Sequence, residues 1–352
     1  MMAHDRVRVS RPADRRRITS AAVRPLALVA PDSFKGTFDA PTVARALGDG
    51  LVEAGWEADL CPVADGGEGT MALLVEALGG ELVAARASGP LGRPLDCRFG
   101  LVDGGATAIV ETAQASGLGL VAADARDAWA ASTYGTGQLI VAAAATGART
   151  IQVAVGGSAT TDGGAGAIEA IRAGGGLGAT RLEVLCDVET AFEQAARVFG
   201  PQKGADEAMV ARLEERLAAL ADALPKDPRG IPATGCAGGL SGGLWAAFDA
   251  ELRAGAPAVL EALGVDARIV AAQLVVAGEG CVDEQSFGGK IVGELVRRAR
   301  AAGVPIHAVA GMSRLSDDEA AAAGLARVWT ASTLAEIAAT GRALGAAAAE
   351  GG

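Results

Sequence analysis

Between Ile151 and Gly166 a β-branched run (Ile151, Val153, Val155) leads into Gly156-Gly157-Ser158-Ala159-Thr160-Thr161-Asp162-Gly163-Gly164-Ala165-Gly166 and then a helix-like segment. Glycine lets backbone N–H groups approach an anion closely, and a helix start adds partial positive charge, so phosphate is the natural guest. The candidate ligands are Gly156, Gly157, Ser158, Thr160, Asp162, Gly163 and Gly164. A second strand-to-helix turn, Asp65-Gly66-Gly67-Glu68-Gly69-Thr70, repeats the pattern. Phosphoryl transfer further asks for positioned cations and a base beside the accepting hydroxyl. Lys35 lies just past the first strand, at the end where open α/β sheets bind ligands, with Ser33 beside it in the same tight turn. Lys203 follows Pro201 in a turn, and Lys290 follows Gly288-Gly289 at a helix start; both are candidates for a nucleotide phosphate. Among carboxylates, Asp187 ends a strand, Asp65 and Glu68 bracket two glycines, and Asp162 and Asp283 lie in or beside glycine-rich turns. Lys35, Asp65 and Asp187 form the candidate catalytic set.

Several chemistries are excluded or weakened. No G-x-x-x-x-G-K-[ST] occurs, which excludes a P-loop, and no G-x-G-x-x-G follows the first strand, which weakens a dinucleotide-dependent dehydrogenase. A formal net charge of −11 argues against nucleic acid or an anionic membrane as the main partner. Two histidines make a His-based zinc site a poor expectation, and five scattered cysteines without a C-x-x-C pair read as buried thiols in a reducing compartment. No apolar run has the length of a membrane span, and the arginine-rich residues 1–24 lack the apolar stretch of a secretory signal. The expectation is a cytoplasmic protein with a disordered basic tail.

The elements that must position these residues follow a βα rhythm that is interrupted once. With 352 residues, half of them hydrophobic and only 3% aromatic, the chain reads as two domains built from small aliphatic residues on buried parallel sheets. Strands are expected at Leu26 to Ala30 and Ala58 to Val63, with helices at Thr42 to Ala54 and Thr70 to Leu78. Glu81 to Ala87, Leu95 to Leu101 and Ala106 to Thr112 then form an antiparallel meander. Helical patterning returns at Thr136 to Ala145, followed by strands at Ile151 to Val155 and Leu182 to Val188 and an amphipathic helix over Ala205 to Leu224. Gly235 to Gly243 reads as a small-residue turn before a helix over Leu244 to Arg253. Leu274 to Ala277, Ile306 to Ala310 and Ala326 to Thr330 close the chain as strands alternating with the helices Lys290 to Ala302 and Asp317 to Ala323. Two opening and three closing strands suffice for a flavodoxin-like doubly wound sheet formed by 25–78 plus 268–352, with 79–267 inserted as a second α/β domain and the active site in the cleft between them. If the domains close on each other, the glycine turns near 235–243 and 278–280 are the candidate hinges.

Ordered along the chain from about residue 26 to near its end are further blocks: Ala30-Pro31-Asp32-Ser33-Phe34-Lys35-Gly36, Val63 to Thr70, Gly89-Pro90-Leu91-Gly92-Arg93-Pro94, and Glu111 to Gly117. Ser132 to Gly137, Gly156 to Gly166, Cys186-Asp187-Val188, Val198 to Gly204 and Gly278-Glu279-Gly280 complete the series. The series resembles the type-1 family of bacterial glycerate kinases. The resemblance implies a flavodoxin-like domain carrying a restriction-enzyme-like α/β insertion, with ATP as phosphoryl donor and D-glycerate as acceptor, commonly giving 2-phosphoglycerate. In that setting Asp187 and Asp65 are candidates for general base or Mg²⁺ ligand, and Lys35 for a phosphate or the glycerate carboxylate. Ser33, Glu68, Asp283 and Arg93 are candidate glycerate contacts, with Arg93 suited to bind the carboxylate bidentately. The chain departs from the family at Thr161, where Asn is usual, over Glu189 to Phe192, at Cys281 in place of Arg, and at Glu284 in place of Gly. These departures keep open a kinase for another small hydroxy acid and a non-catalytic sugar-acid or nucleotide sensor. Phosphorylation at carbon 2 against carbon 3, and oligomeric state, are not legible in the motifs.

Overall fold

The computed structural model describes residues 24–34 and 36–350, so Lys35 and nearly all of the arginine-rich tail lie outside the described residues. In chain order the strands are Leu26–Pro31 (β1), Glu57–Leu60 (β2), Glu81–Ser88 (β3), Pro94–Val102 (β4), Thr107–Glu111 (β5), Thr150–Ala154 (β6), Arg181–Cys186 (β7), Glu251–Ala254 (β8), Leu274–Val282 (β9), Ile306–Ser313 (β10) and Arg327–Thr330 (β11). They form two sheets. One has the order β11-β10-β9-β1-β2 and is parallel throughout; the other has the order β3-β4-β5-β6-β7-β8.

β1 is apolar along its length because both of its faces are covered. Ala27 and Val29 point into a core shared with Leu47, Leu51, Trp56, Ile337 and Leu344, while Leu28 and Ala30 point into another with Leu260, Val265, Ile291 and Leu295. Helices Ala40–Glu53 and Leu334–Glu350 cover the first face at very short range: a Cβ on Gly341 would lie 2.4 Å from the Leu47 carbonyl oxygen. Asp39 caps the first of these helices by accepting from the Thr42 N–H at 2.8 Å. The ladder between β1 and β2 continues beyond Leu60, with Cys61 N–H donating to Val29 O and Val63 N–H to Pro31 O, and so carries the chain directly into the Asp65 turn.

The second sheet begins as the expected meander, β3 and β4 antiparallel and β4 and β5 antiparallel, then turns parallel through β5, β6, β7 and β8. Helices Tyr134–Ala145, Ala165–Ala173 and Cys236–Phe248 cover one face. Helix Thr70–Ala77, which follows β2 in sequence, packs its Met71, Leu74 and Val75 against Val102 and Ile109 on the other. Helices Gly255–Ala262 and Val265–Ala271 conversely pack on the first sheet although they follow the second. The two sheets therefore exchange helices where the chain passes between them.

Three expectations are corrected. The helix over Leu244 to Arg253 stops at Phe248, because Asp249 takes a left-handed conformation (φ 55°), and Glu251–Ala254 becomes edge strand β8. Its Arg253 reaches back to Glu183 on β7 at 3.1 Å. The small-residue segment Gly235 to Gly243 holds the expected turn only in its first half, where Ala237, Gly238 and Gly239 are left-handed and kink the chain; regular helix follows from Leu240, earlier than the expected Leu244. A Cβ on Gly238 would fall 2.0 Å from the Thr160 carbonyl oxygen, so packing rather than hinge motion selects glycine there. Gly278-Glu279-Gly280 likewise lies inside β9, paired with β10, and Gly278 is required because a Cβ would meet the Pro31 side chain at 2.7 Å. Helices Gly255–Ala262, Val265–Ala271 and Leu334–Glu350 were not expected at all.

Candidate active site

The carboxyl ends of parallel strands from both sheets converge. Asp32 follows β1, Asp65 follows β2, Gly156 and Gly157 follow β6, and Asp187 follows β7; together with Ser33, Thr37, Glu68 and Gly69 they line one cleft of about 620 Å³. The two glycine-rich turns singled out in the sequence touch there, with a Cβ on Gly67 falling 3.5 Å from the Gly156 Cα. Asp65 holds its own turn by accepting from the Gly67 N–H at 3.0 Å, and Asp32 accepts from the Ser33 N–H at 2.6 Å. Asp32, Asp65 and Asp187 each make further polar contacts.

Two smaller hollows extend the cleft. One of about 490 Å³ lies at the ends of β9 and β10, lined by Glu279, Gly280, Cys281, Asp283 and Lys290, and meets the main cleft at Thr37. Lys290 stands 4.0 Å from Glu279, which also accepts from Ser286 Oγ at 2.8 Å. Asp283 caps the short turn behind it by accepting from the Gln285 N–H at 3.0 Å. The other hollow, about 200 Å³, shares Gly156, Gly157 and Asp187 with the main cleft and adds Ser158, Gln202 and Lys203.

Lys203 is only 2% exposed. Its ammonium donates to the Thr160 carbonyl oxygen at 2.5 Å and to Ser158 Oγ at 3.1 Å. Burial pulls its pKa down to about 7, against the opposing pull of the Asp162 charge.

The helix start after the Gly156 loop is not an anion site. Asp162, 1% exposed, already occupies it: one carboxylate oxygen accepts from the Gly164 N–H at 3.1 Å, the other from the Gly166 N–H at 3.2 Å and from Thr133 N–H and Oγ1 at 2.8 Å each. The expected role of Asp162 in the phosphate-binding loop is thereby corrected, since its carboxylate is spent inside the protein. Gly163 and Gly164 pack against Leu217, Leu220 and Leu240, and Thr160 is fully buried, so none of the three lines the cleft as expected. Helix Thr70–Ala77 is treated the same way: buried Glu111 accepts from the Met71 N–H at 2.8 Å, and its burial pushes the carboxyl pKa up. The anion-facing portion of the loop thus narrows to Gly156, Gly157 and Ser158. Arg93 sits exposed in the hairpin turn between β3 and β4 and lines none of the three hollows.

Asp32 and Glu279 were quoted in motifs but given no role, although the rule that open α/β sheets bind ligands beyond their strands' carboxyl ends points to both. Thr161, the departure from Asn, is fully buried, and its hydroxyl has no hydrogen-bond partner among the described residues.

The model of the glycerate kinase family matches residues 27–175 and 175–350. The chain belongs to the glycerate kinase family. It is 37% identical over 328 residues to the glycerate 2-kinase of Escherichia coli K12, covering 83% of this chain and 86% of that protein. The glycerate kinase of Bacillus subtilis 168 is 38% identical over 321 residues, covering 81% and 84%. A crystal structure of a Salmonella typhimurium LT2 protein assigned as glycerate kinase 2 superposes with a TM-score of 0.80 at 32% identity, covering 94% of this chain and 99% of that one. Membership in the glycerate kinase family makes the chain an enzyme of the kinase class, and among its described residues no helix is long and apolar enough to cross a membrane.

Proposed function

We propose that this glycerate kinase transfers the γ-phosphoryl group of ATP to D-glycerate and yields 2-phosphoglycerate. The observation that carries the reading is the cleft where Asp32, Asp65 and Asp187 meet the Gly156-Gly157 turn, in a chain of this family. The Escherichia coli relative, named glycerate 2-kinase, supports carbon 2 as the phosphorylated position.

Asp187 is proposed to accept the proton of the glycerate hydroxyl as that oxygen bonds to the γ-phosphorus and the bond to the β,γ-bridging oxygen breaks, releasing ADP. The triphosphate belongs in the main cleft and the nucleoside toward the 490 Å³ hollow, with Lys290 supplying positive charge to a phosphate where the two adjoin; both volumes lie in the range of ligand sites. No three ligating side chains cluster among the described residues, which suits Mg²⁺ held by a carboxylate such as Asp65 plus phosphate oxygens, leaving Asp187 to the proton. When bound, that ion neutralises charge on the transferred group. Lys35, which lies outside the described residues, keeps its proposed role at a phosphate.

The strand order β2-β1-β9-β10-β11 supports reading the first sheet as a flavodoxin-like domain, with the second sheet as an insertion into it. A cytoplasmic location fits such a small-molecule enzyme. The deciding experiment is ADP release with Mg²⁺, ATP and D-glycerate, followed by ³¹P NMR of the product. Glycerate-dependent ADP with a 2-phosphate signal is expected; a folded, ATP-binding protein without turnover overturns the reading in favour of another acceptor or a sensor.

A further inference from the structure

A buried ammonium needs an anion or a full set of acceptors, and among the described residues Lys203 has neither. It offers three donors and uses two, both on neutral oxygens of Ser158 and Thr160. The carboxylate whose charge reaches it, Asp162, is committed to the helix start and to Thr133. The Phe199 ring, 6.0 Å from Nζ, is a weak substitute. Yet the side chain faces a hollow that continues past Asp187 into the main cleft.

From this arrangement we infer that the Lys203 hollow is the acceptor pocket, in which the ammonium and Ser158 hold the carboxylate of the hydroxy acid while its hydroxyl faces Asp187. The inference rests on the kinase reading above and replaces the nucleotide phosphate first expected at Lys203. Size supports it. At about 200 Å³ the hollow lies below the usual range for nucleotide-sized ligands and suits a three-carbon acid. Its walls support it too, since Leu118, Val155, Val188 and Ala237 are apolar and Lys203 is the one cation among the described lining residues. Gly156, Gly157 and Asp187 line both hollows, so an acid seated on Lys203 is bordered by the groups that border the main cleft. Lys203 is locked in a short turn that opens with Pro201 and ends at left-handed Gly204, so the cation is positioned before substrate arrives.

The test compares wild type with Lys203→Met in steady-state ADP release, titrating D-glycerate and ATP separately, and in calorimetric titration of D-glycerate without nucleotide. Loss of one charge-assisted contact is expected to weaken D-glycerate binding and raise its KM about ten- to hundred-fold, leaving the ATP KM within about two-fold. Discrimination between D-glycerate and the neutral amide glyceramide should fall by a similar factor. Gln202→Glu, at an exposed residue lining the same hollow, adds a like charge without disturbing the core and should weaken D-glycerate in the same direction. A rise confined to the ATP KM, or a fall in kcat with D-glycerate affinity unchanged in both variants, overturns the pocket assignment while leaving the kinase reading intact. A wild type that neither binds nor phosphorylates D-glycerate overturns both together.

Discussion

A Cβ built on Gly156 would lie 2.6 Å from the Gly67 Cα and 3.0 Å from the Glu68 backbone nitrogen. Two turns from two different sheets thus meet main chain to main chain, and the cleft exists because neither carries a side chain at the contact. Gly156→Ala should cost about 1–3 kcal/mol by overpacking and reduce kcat/KM far more than it lowers the melting temperature, because the turns that line the cleft must part. Gly119→Ala, where a Cβ meets nothing within 4 Å, is the matched control and should leave both quantities unchanged.

Removing the proposed base without changing its shape separates chemistry from folding. Asp187→Asn is expected to lower kcat by about 10²–10⁴-fold while the thermal midpoint moves little. Equal kcat in the two proteins would move the proton-accepting role to another carboxylate of the cleft.

Glu111 gives a stability signature that depends on pH. Its folded pKa is raised above the ordinary value, chiefly by burial, so the folded state holds the proton more tightly than the unfolded state. The stabilisation this provides is complete below the unfolded value, about 4.3, and is lost as pH rises through the raised folded value. In denaturant titrations the advantage of wild type over Glu111→Gln should therefore shrink as pH rises toward neutrality.

Lys203 has the opposite slope. Its folded pKa of about 7 lies below the 10.5 of an ordinary lysine, so between those values the unfolded chain binds more protons and stability rises with pH. Wild type should gain stability relative to Lys203→Met as pH increases from 7 toward 10. A parallel pair of curves would show that the ammonium is not desolvated.

Much of this architecture was legible because small aliphatic strands and glycine-rich turns leave strong local patterns. β1, the β3-β4-β5 meander, and the helices that follow Gly69 and Gly164 were all readable from periodicity and turn residues. What stayed hidden depended on distant partners. β8 carries Glu251 and Arg253 at a sheet edge and looks like a helix end until Glu183 is placed beside it. Asp162 looked like an anion-loop residue because the sequence does not reveal that Thr133, nearly thirty positions earlier, donates to it. Asp32 carries no local signal that sets it apart from Lys35 in the same motif; only its place at the end of β1, lining the cleft, marks it.

The first sheet also sets an order of events for the newborn chain. The Leu26 N–H donates to the Gln273 side chain across 247 residues, and β1 has β9 as its neighbour on that flank. Once synthesis has passed Ala254 all six strands of the second sheet are present, whereas β1 and β2 have only each other until β9 is made. Contacts of such long range are slow to close. The second sheet can therefore pair during synthesis, before β1 has gained its second neighbour. The strand that completes the flank of β1, and with it the support beneath Asp32 in the cleft, is thus among the last to be made.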